Sequence, residues 1–257
     1  MNTYNAWTDV PTHLMTRNHL AQRGLKPSGE AVAIVRWGGD KQAQLFDANT
    51  AEKRMGEPGP EEQAEIRLQA ARTALEWYQG PPAYIIDTET TGVGDDAEIC
   101  DIAVIWLQTG DVLINTLIKP SQPIPEEATA VHGIANEDVV EAPTFADIAE
   151  ALRLFRDQGT MIAWNAPFDQ SIVDAAMVAA GYPADTHEWR CAMRLHARFF
   201  GEWNDWSDDY KWQRLEGSHR ALGDCIETRN RIIEMCIEAA AEQGRQLAEE
   251  IRAAVRL

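Results

Sequence analysis

The chain has 257 residues, 45% hydrophobic and 25% charged, with 41 acidic against 23 basic side chains and a formal net charge of -18. That length suits one large domain, or one domain with a small appendage, and the ordinary apolar and charged fractions exclude disordered, collagen-like and membrane-spanning classes. The acidic excess also argues against default adhesion to nucleic acid, because phosphate binding is driven by lysine and arginine releasing counterions.

The charge is unevenly placed. Residues 1–80 hold 9 basic and 10 acidic side chains, and residues 81–257 hold 14 and 31, so the excess follows the Gly80-Pro81-Pro82 cluster. A domain boundary is expected there. Before it, residues 12–23 read as a helix stopped by Gly24. Residues 31–37 and 43–46 read as a hairpin turning through 38–41, and residues 55–60 as loop. Residues 61–78 then form a helix with acids in its first turn and Ile66, Leu68, Leu75 and Trp77 to bury. The first part is thus a small α+β extension.

The second part begins with a short apolar strand over 83–87. Two more, 99–107 and 112–119, are joined through Gln108-Thr109-Gly110-Asp111 as a hairpin. Residues 144–157 form an amphipathic helix capped by Thr144, with Phe145, Ile148, Ala149, Leu152 and Phe155 on one face. A fourth strand over 160–164 precedes helices over 168–180, 188–200 and 219–242, and residues 243–257 prolong the last. A meander followed by alternating helix and strand predicts an α/β fold with a mixed sheet. Cys100, Cys191, Cys225 and Cys236 form no C-x-x-C pair and read as buried thiols in a reducing compartment, not as zinc ligands or disulfides. His13, Arg17, Asn18 and His19 break any apolar leader, so no secretory signal is expected and the cytoplasm is the expected location. No run of about 18 uncharged apolar residues exists to cross a membrane.

Three segments carry candidate chemistry. In Asp87-Thr88-Glu89, residues two apart along a strand face one way, so both carboxylates can share a divalent cation of the magnesium or manganese kind. A solvated strand end explains the pair as well. In Asn165-Ala166-Pro167-Phe168-Asp169 a strand ends and Asp169 opens the next helix, where an acid also simply complements the helix dipole. In Ser218-His219-Arg220-Ala221-Leu222-Gly223-Asp224, Ser218 can cap a helix that carries His219 at its mouth and Asp224 in its second turn; a surface histidine is the plain alternative. Together they supply four carboxylates and a histidine at element edges, the apparatus of two-metal phosphodiester hydrolysis.

Residues 81–240 resemble the DEDD exonucleases in their histidine-containing DEDDh, epsilon-like branch. The resemblance rests on Asp87-Thr88-Glu89-Thr90-Thr91-Gly92, Asn165-Ala166-Pro167-Phe168-Asp169, His219-Arg220-Ala221-Leu222-Gly223-Asp224 and the loop Val131-His132-Gly133-Ile134. It implies a ribonuclease H-like fold over 81–257, a mixed five-stranded sheet flanked by helices. It also implies a 3′→5′ exonuclease that releases 5′-mononucleotides from single-stranded ends, DNA more than RNA, with two Mg2+ that Mn2+ can replace. Asp87, Glu89, Asp169 and Asp224 would hold the metals, and His219 would act as general base. Thr88, Thr90, Thr91, Gly92, His132, Ile134 and Asn165 would meet the substrate, with His132 and Ile134 wedged beside the terminal base.

Of the nine tryptophans, Trp77, Trp106 and Trp189 are expected in the core and Trp164 beneath the site. Trp203, Trp206 and Trp212 lie in a loop before His219 that either shapes the site or packs under itself. No clamp-binding peptide is recognisable, which speaks against a replicative proofreading subunit. The extension 1–80 is left for substrate, a partner protein or self-association. An exoribonuclease and a non-catalytic end-binding module are the alternatives.

Overall fold

The computed structural model describes the chain except for Gly39, Asp40, Asp95, Asp185, His187, Glu188, Ser218, Arg256 and Leu257. It divides into two compact units, residues 1–63 with 202–211, and residues 64–201 with 212–257.

In the second unit, residues with two buried faces make the central strands. β1 (Ala83–Thr90), β2 (Ile99–Trp106) and β3 (Val112–Leu117) form an antiparallel meander, with Gly110 in the left-handed region (φ 82) at the turn between β2 and β3. β4 (Thr160–Ala163) adds parallel to β1, and β5 (Arg190–Cys191) parallel to β4, giving the order β5-β4-β1-β2-β3.

Alternation along β1 sends its side chains to two separate cores. On one face Ala83 and Ile85 join Ala103 and Ile105 of β2 under α1 (Pro60–Gln79) and a long carboxy-terminal helix. On the other, Tyr84 and Ile86 join Ile102 and Val104 under α3 (Phe145–Gln158) and α4 (Ala166–Ala179). The short α2 (Glu126–His132) leads from β3 towards α3. α5 (Ala192–Phe200) follows β5, and α6 (Ala221–Gln243) is the long helix. The chain is therefore α/β, with a mixed five-stranded sheet flanked by helices, as the sequence predicts.

Several expectations are corrected. The helix expected over 188–200 is shorter, because Arg190–Cys191 is the fifth strand and only residues 192–200 coil. Residues 243–257 do not prolong α6: Gly244 adopts φ 148, ψ 144 and a separate helix α7 (Arg245–Val255) follows. α1 buries Leu75 as expected, together with Ala70, Ala71 and Ala74, and Trp77 packs half-buried against the same core, whereas Ile66 and Leu68 are only half-buried. These alanines join the core of the second unit, so the division falls at Gln63 and not at the Gly80-Pro81-Pro82 cluster. α3 starts as expected: Thr144 Oγ1 donates to Asp147 Oδ2 at 2.7 Å and the Thr144 N–H donates to the same oxygen at 2.8 Å.

The first unit is α+β. Ala33–Trp37 and Lys41–Asp47 form the expected hairpin, flanked by Asn2–Tyr4 and by Leu14–Met15. The helix expected over 12–23 is only Arg17–Gln22, capped by Thr16, because Leu14–Met15 pairs with Phe46 and Asp47. Residues 202–211 belong here through Asp208. Its fully buried carboxylate accepts the Met55 and Gly56 N–H groups at 2.7 and 2.9 Å, with Lys26 and Arg54 each 3.5 Å away. Burial raises its pKa, but these donors and cations outweigh it and lower the pKa below the usual carboxylate value. The four cysteines are free thiols, Cys100, Cys225 and Cys236 buried as expected and Cys191, on the edge strand β5, only half-buried, and among the described residues no helix is long and apolar enough to cross a membrane.

Candidate metal centre and active site

The site forms at the carboxy-terminal end of β1. Asp87 and Glu89 share the parity of Ile85, so both point towards α6, which carries Asp224 in its first turn. One oxygen from each of Asp87, Glu89 and Asp224 lies within 4.8 Å of the others, and all three residues are half-buried. α6 is pinned there by Cys225, whose thiol approaches the carbonyls of Ile85 at 3.7 Å and Ala103 at 3.5 Å.

Asp169 arrives from the opposite face. The first turn of α4 places it beside Thr88, whose side chain alternates away from Asp87. Asp169 Oδ1 accepts the Thr88 N–H at 3.2 Å and the Thr88 hydroxyl at 2.9 Å. Both residues are buried. Thr88 therefore orients a carboxylate and does not face substrate, a correction that alternation along the strand explains.

The electrostatics are those of crowded acids. Burial pushes the Asp87 carboxyl well above its usual range, helped by Asp169, Asp224 and Glu89. Glu89 is pushed up to about 7 by burial and then by Asp224 and Asp101. Asp169 is likewise raised to about 7 by burial, although both Thr88 hydrogen bonds oppose the shift. Oxygen donors from converging carboxylates that repel one another fit a divalent cation, whose charge would relieve the repulsion.

A cation binds the ionised carboxylates, so its affinity should fall as pH drops through about 7. Adding magnesium or manganese chloride should raise the melting temperature clearly at pH 8 and much less at pH 6. Equal shifts in differential scanning calorimetry at the two values would contradict this donor set.

Asp101 on β2 stands directly opposite Glu89 in register. Its carboxylate, 2% exposed, accepts from Arg220 Nε at 2.9 Å and from the Ala221 N–H at 3.4 Å. This pair ties the start of α6 to the sheet, and the sequence pattern does not reveal it because Asp101 lies inside an apolar strand. His219 precedes the pair, exposed and in the left-handed region (φ 51). A positive φ is uncommon for a side-chain-bearing residue and recurs at functional sites. The Ser218 cap expected from sequence falls outside the described residues; Arg220 occupies the helix cap position.

The remaining expected substrate contacts divide. Asn165 is the exposed residue before α4, and its carbonyl accepts from Phe168 and Asp169. The Thr90 hydroxyl donates to the Gly92 carbonyl at 2.6 Å, and Thr91 Oγ1 accepts the Glu98 N–H at 3.0 Å, so both side chains shape the loop after β1. His132 and Ile134 are 5% and 2% exposed. His132 Nδ1 accepts the Ile134 N–H at 3.1 Å, its Nε2 lies 3.8 Å from Cys100 Sγ, and burial lowers its pKa. Ile134 packs with Cys100, Ile124 and Val139. Neither buried side chain offers a wedge to a terminal base; both support the strand behind the site. Trp164 packs against His196 at 5.5 Å between ring centroids, and Trp189 is buried, as expected. Trp203 and Trp206 lie in the first unit.

Comparison with known proteins agrees with this geometry. A family model described as Exonuclease (RNase_T) matches residues 84–230. The chain is 40% identical over 177 residues to the uncharacterized exonuclease CP81 of Escherichia phage 186, covering 62% of this chain and 89% of that protein. It is 30% identical over 162 residues to exodeoxyribonuclease 10 of Escherichia coli K12, covering 59% of this chain and 67% of that one. Among solved structures it is similar to E. coli exonuclease I in complex with a dT13 oligonucleotide. That match has a TM-score of 0.50 and 12% identity, and covers 64% of this chain and 43% of the other. The last similarity concerns the fold, which is ribonuclease H-like.

Proposed function

Because the chain belongs to the RNase_T exonuclease family, and is therefore a hydrolytic exonuclease, we propose that it removes 5′-mononucleotides one at a time from the 3′ ends of single-stranded DNA. The reading is carried by the convergence of Asp87, Glu89 and Asp224 within 4.8 Å, with Asp169 fastened beside them through Thr88. DNA is favoured over RNA by the similarity to an exodeoxyribonuclease. Asp87, Glu89 and Asp224 would hold one Mg2+, with Mn2+ able to replace it, and Asp87 and Asp169 would serve a second. When bound, the cations supply charge stabilisation at the phosphodiester and lower the pKa of the attacking water.

The chain's own groups do the rest. His219, exposed at the mouth of α6, takes the proton of the attacking water, the general-base role that histidine fills most often. The Asp101–Arg220 pair holds that junction against the sheet. Asn165, exposed before α4, and the backbone of Thr91 and Gly92 in the loop after β1 are the groups assigned to the terminal nucleotide. The free thiols suit a reducing cytoplasm, and trimming of DNA 3′ ends in repair is the matching role.

Incubation with 3′- and 5′-labelled DNA and RNA oligomers, with magnesium, manganese or EDTA, tests the proposal. Stepwise 3′ shortening of DNA that EDTA abolishes is expected; undiminished shortening in EDTA would sink it. His219→Ala should lower kcat by roughly 10²–10⁴-fold while the metal-induced rise in melting temperature survives. Loss of that rise would place His219 among the metal ligands instead.

A further inference from the structure

The first unit carries a feature that the carboxylate site does not use. In a chain with 41 acids, the twenty residues from Val10 to Gly29 contain none, the longest such stretch in the sequence. Within it lie Arg17, Arg23, Lys26, His13 and His19. The same stretch walls a cleft of about 300 Å³ lined by Trp7, Leu14, Met15, His19, Gln22 and Arg23. Trp7 keeps 40% of its surface exposed although it is large and apolar. Its indole is braced by Trp37, with ring centroids 5.1 Å apart, and meets the edge of His19 at 6.2 Å. The ring is thus held in place before any ligand arrives, which limits the ordering cost of binding.

We infer that this cleft is a second nucleic-acid subsite, which stacks one unpaired base on Trp7 and pairs the adjoining phosphate with Arg23. The inference rests on the exonuclease reading of the carboxylate site. Its chemistry follows from the lining. An aromatic face binds any base, whatever the sequence, and a cation beside it favours phosphate. The volume lies at the small end of the range for ligand pockets, which suits a single nucleotide. Lys26 is engaged by Asp208, and Arg17 lies over the rings of Phe46 and Trp206, so Arg23 and His19 are the basic groups that line the cleft. Nothing there reads a 2′-hydroxyl, so DNA and RNA strands should bind it alike.

The test uses the full chain carrying Asp87→Asn, so that the ligand survives, and labelled oligo(dT) and oligo(U) of about 15 nucleotides. Binding is read by fluorescence anisotropy in EDTA. Trp7→Ala should weaken both oligomers by about tenfold or more, whereas Trp7→Phe should stay within about threefold of the parent, since an aromatic face remains. Arg23→Ala should reduce the slope of log affinity against log salt by about 0.7, one phosphate contact on a single strand. Unchanged affinity in Trp7→Ala, or an equal loss in Trp7→Phe, would overturn the subsite. So would Trp7-dependent binding of an acidic peptide with oligomer binding untouched. Hydrolysis of the p-nitrophenyl ester of thymidine 5′-phosphate by the unmodified chain is a separate reading, taken at the carboxylates alone. If the unmodified chain leaves it intact, the exonuclease reading fails, whatever the oligomers show.

Discussion

Asp87→Asn should lower the exonuclease rate by at least about 10³-fold and, in the same protein, raise the melting temperature of the metal-free chain. The rate loss follows from position. Burial, and then four acids, Asp169, Asp224, Glu89 and Asp101, raise the Asp87 carboxyl, so it stands within the charge that a cation would answer. Metal stabilisation of a transition state is worth several kcal/mol, and about 1.4 kcal/mol is tenfold in rate. The stability gain follows from sign. A carboxyl whose folded pKa lies above its unfolded value binds its proton more tightly when folded, so its contribution is present at low pH and is lost as pH rises through the folded pKa. At pH 8 without metal the ionised cluster therefore works against folding, and the neutral amide removes one of its charges. Single-turnover kinetics and calorimetry at pH 8 in EDTA check both halves. A variant that is slow and also less stable would mean that Asp87 is held by favourable contacts, not by a site built for a cation.

The acids of this cluster are legible in the sequence, whereas the groups that orient them are not. Strand alternation fixes a common face for Asp87 and Glu89, and Asp224 stands out because it follows His219 at the start of a long helix. Thr88 looks like part of the substrate loop, yet its parity turns it to the other side of the sheet, where Asp169 arrives on α4. Asp101 sits in an apolar strand, where a lone acid reads as an irregularity until α6 brings Arg220 over it. These two contacts join residues 81 and 119 positions apart, and no local spacing encodes them. His132 follows the same logic in reverse. A histidine in a loop suggests a ligand contact, but burial beside Cys100 and Ile134 makes it part of the wall.

The fold is legible in proportion to the length of each element. The meander from β1 to β3 and the capped α3 have enough periodic residues to declare themselves. β5 has two residues and owes its existence to pairing with Ile162 and Ala163. The acid-rich segment 202–211 reads as a neighbour of the site because it precedes His219, but Asp208 commits it to the first unit through backbone donors at Met55 and Gly56. Burial of a charged side chain on a tight turn (φ 54) cannot be anticipated from a run of polar residues.

Gly217→Ala should cost about 10²-fold in rate although Gly217 carries no functional group. A Cβ built there would lie 1.8 Å from Asp224 Oδ1 and 2.5 Å from its Cγ. No contact of that length is tolerable, so either the chain before His219 or the Asp224 carboxylate must move. Asp224 is one of the three converging ligands, and displacement of a reacting group by about 1 Å typically costs about 10²-fold. Overpacking of this kind also destabilises by about 1–3 kcal/mol. Gly92→Ala provides the contrast. Gly92 lies in the loop after Glu89, its φ is unremarkable, and a Cβ there meets nothing within 4 Å. The fold therefore accepts alanine at 92, and any loss of activity would report close approach of a nucleotide to that backbone. The two variants separate in their metal dependence. Gly217→Ala should need a higher magnesium concentration for half-maximal rate, because a ligand has been pushed aside. Gly92→Ala should keep the magnesium requirement and change only KM for the oligomer. If Gly217→Ala retains both its rate and its magnesium requirement, then the carboxylate of Asp224 has room to retreat and still bind, and the tight approach of residue 217 does not set its position.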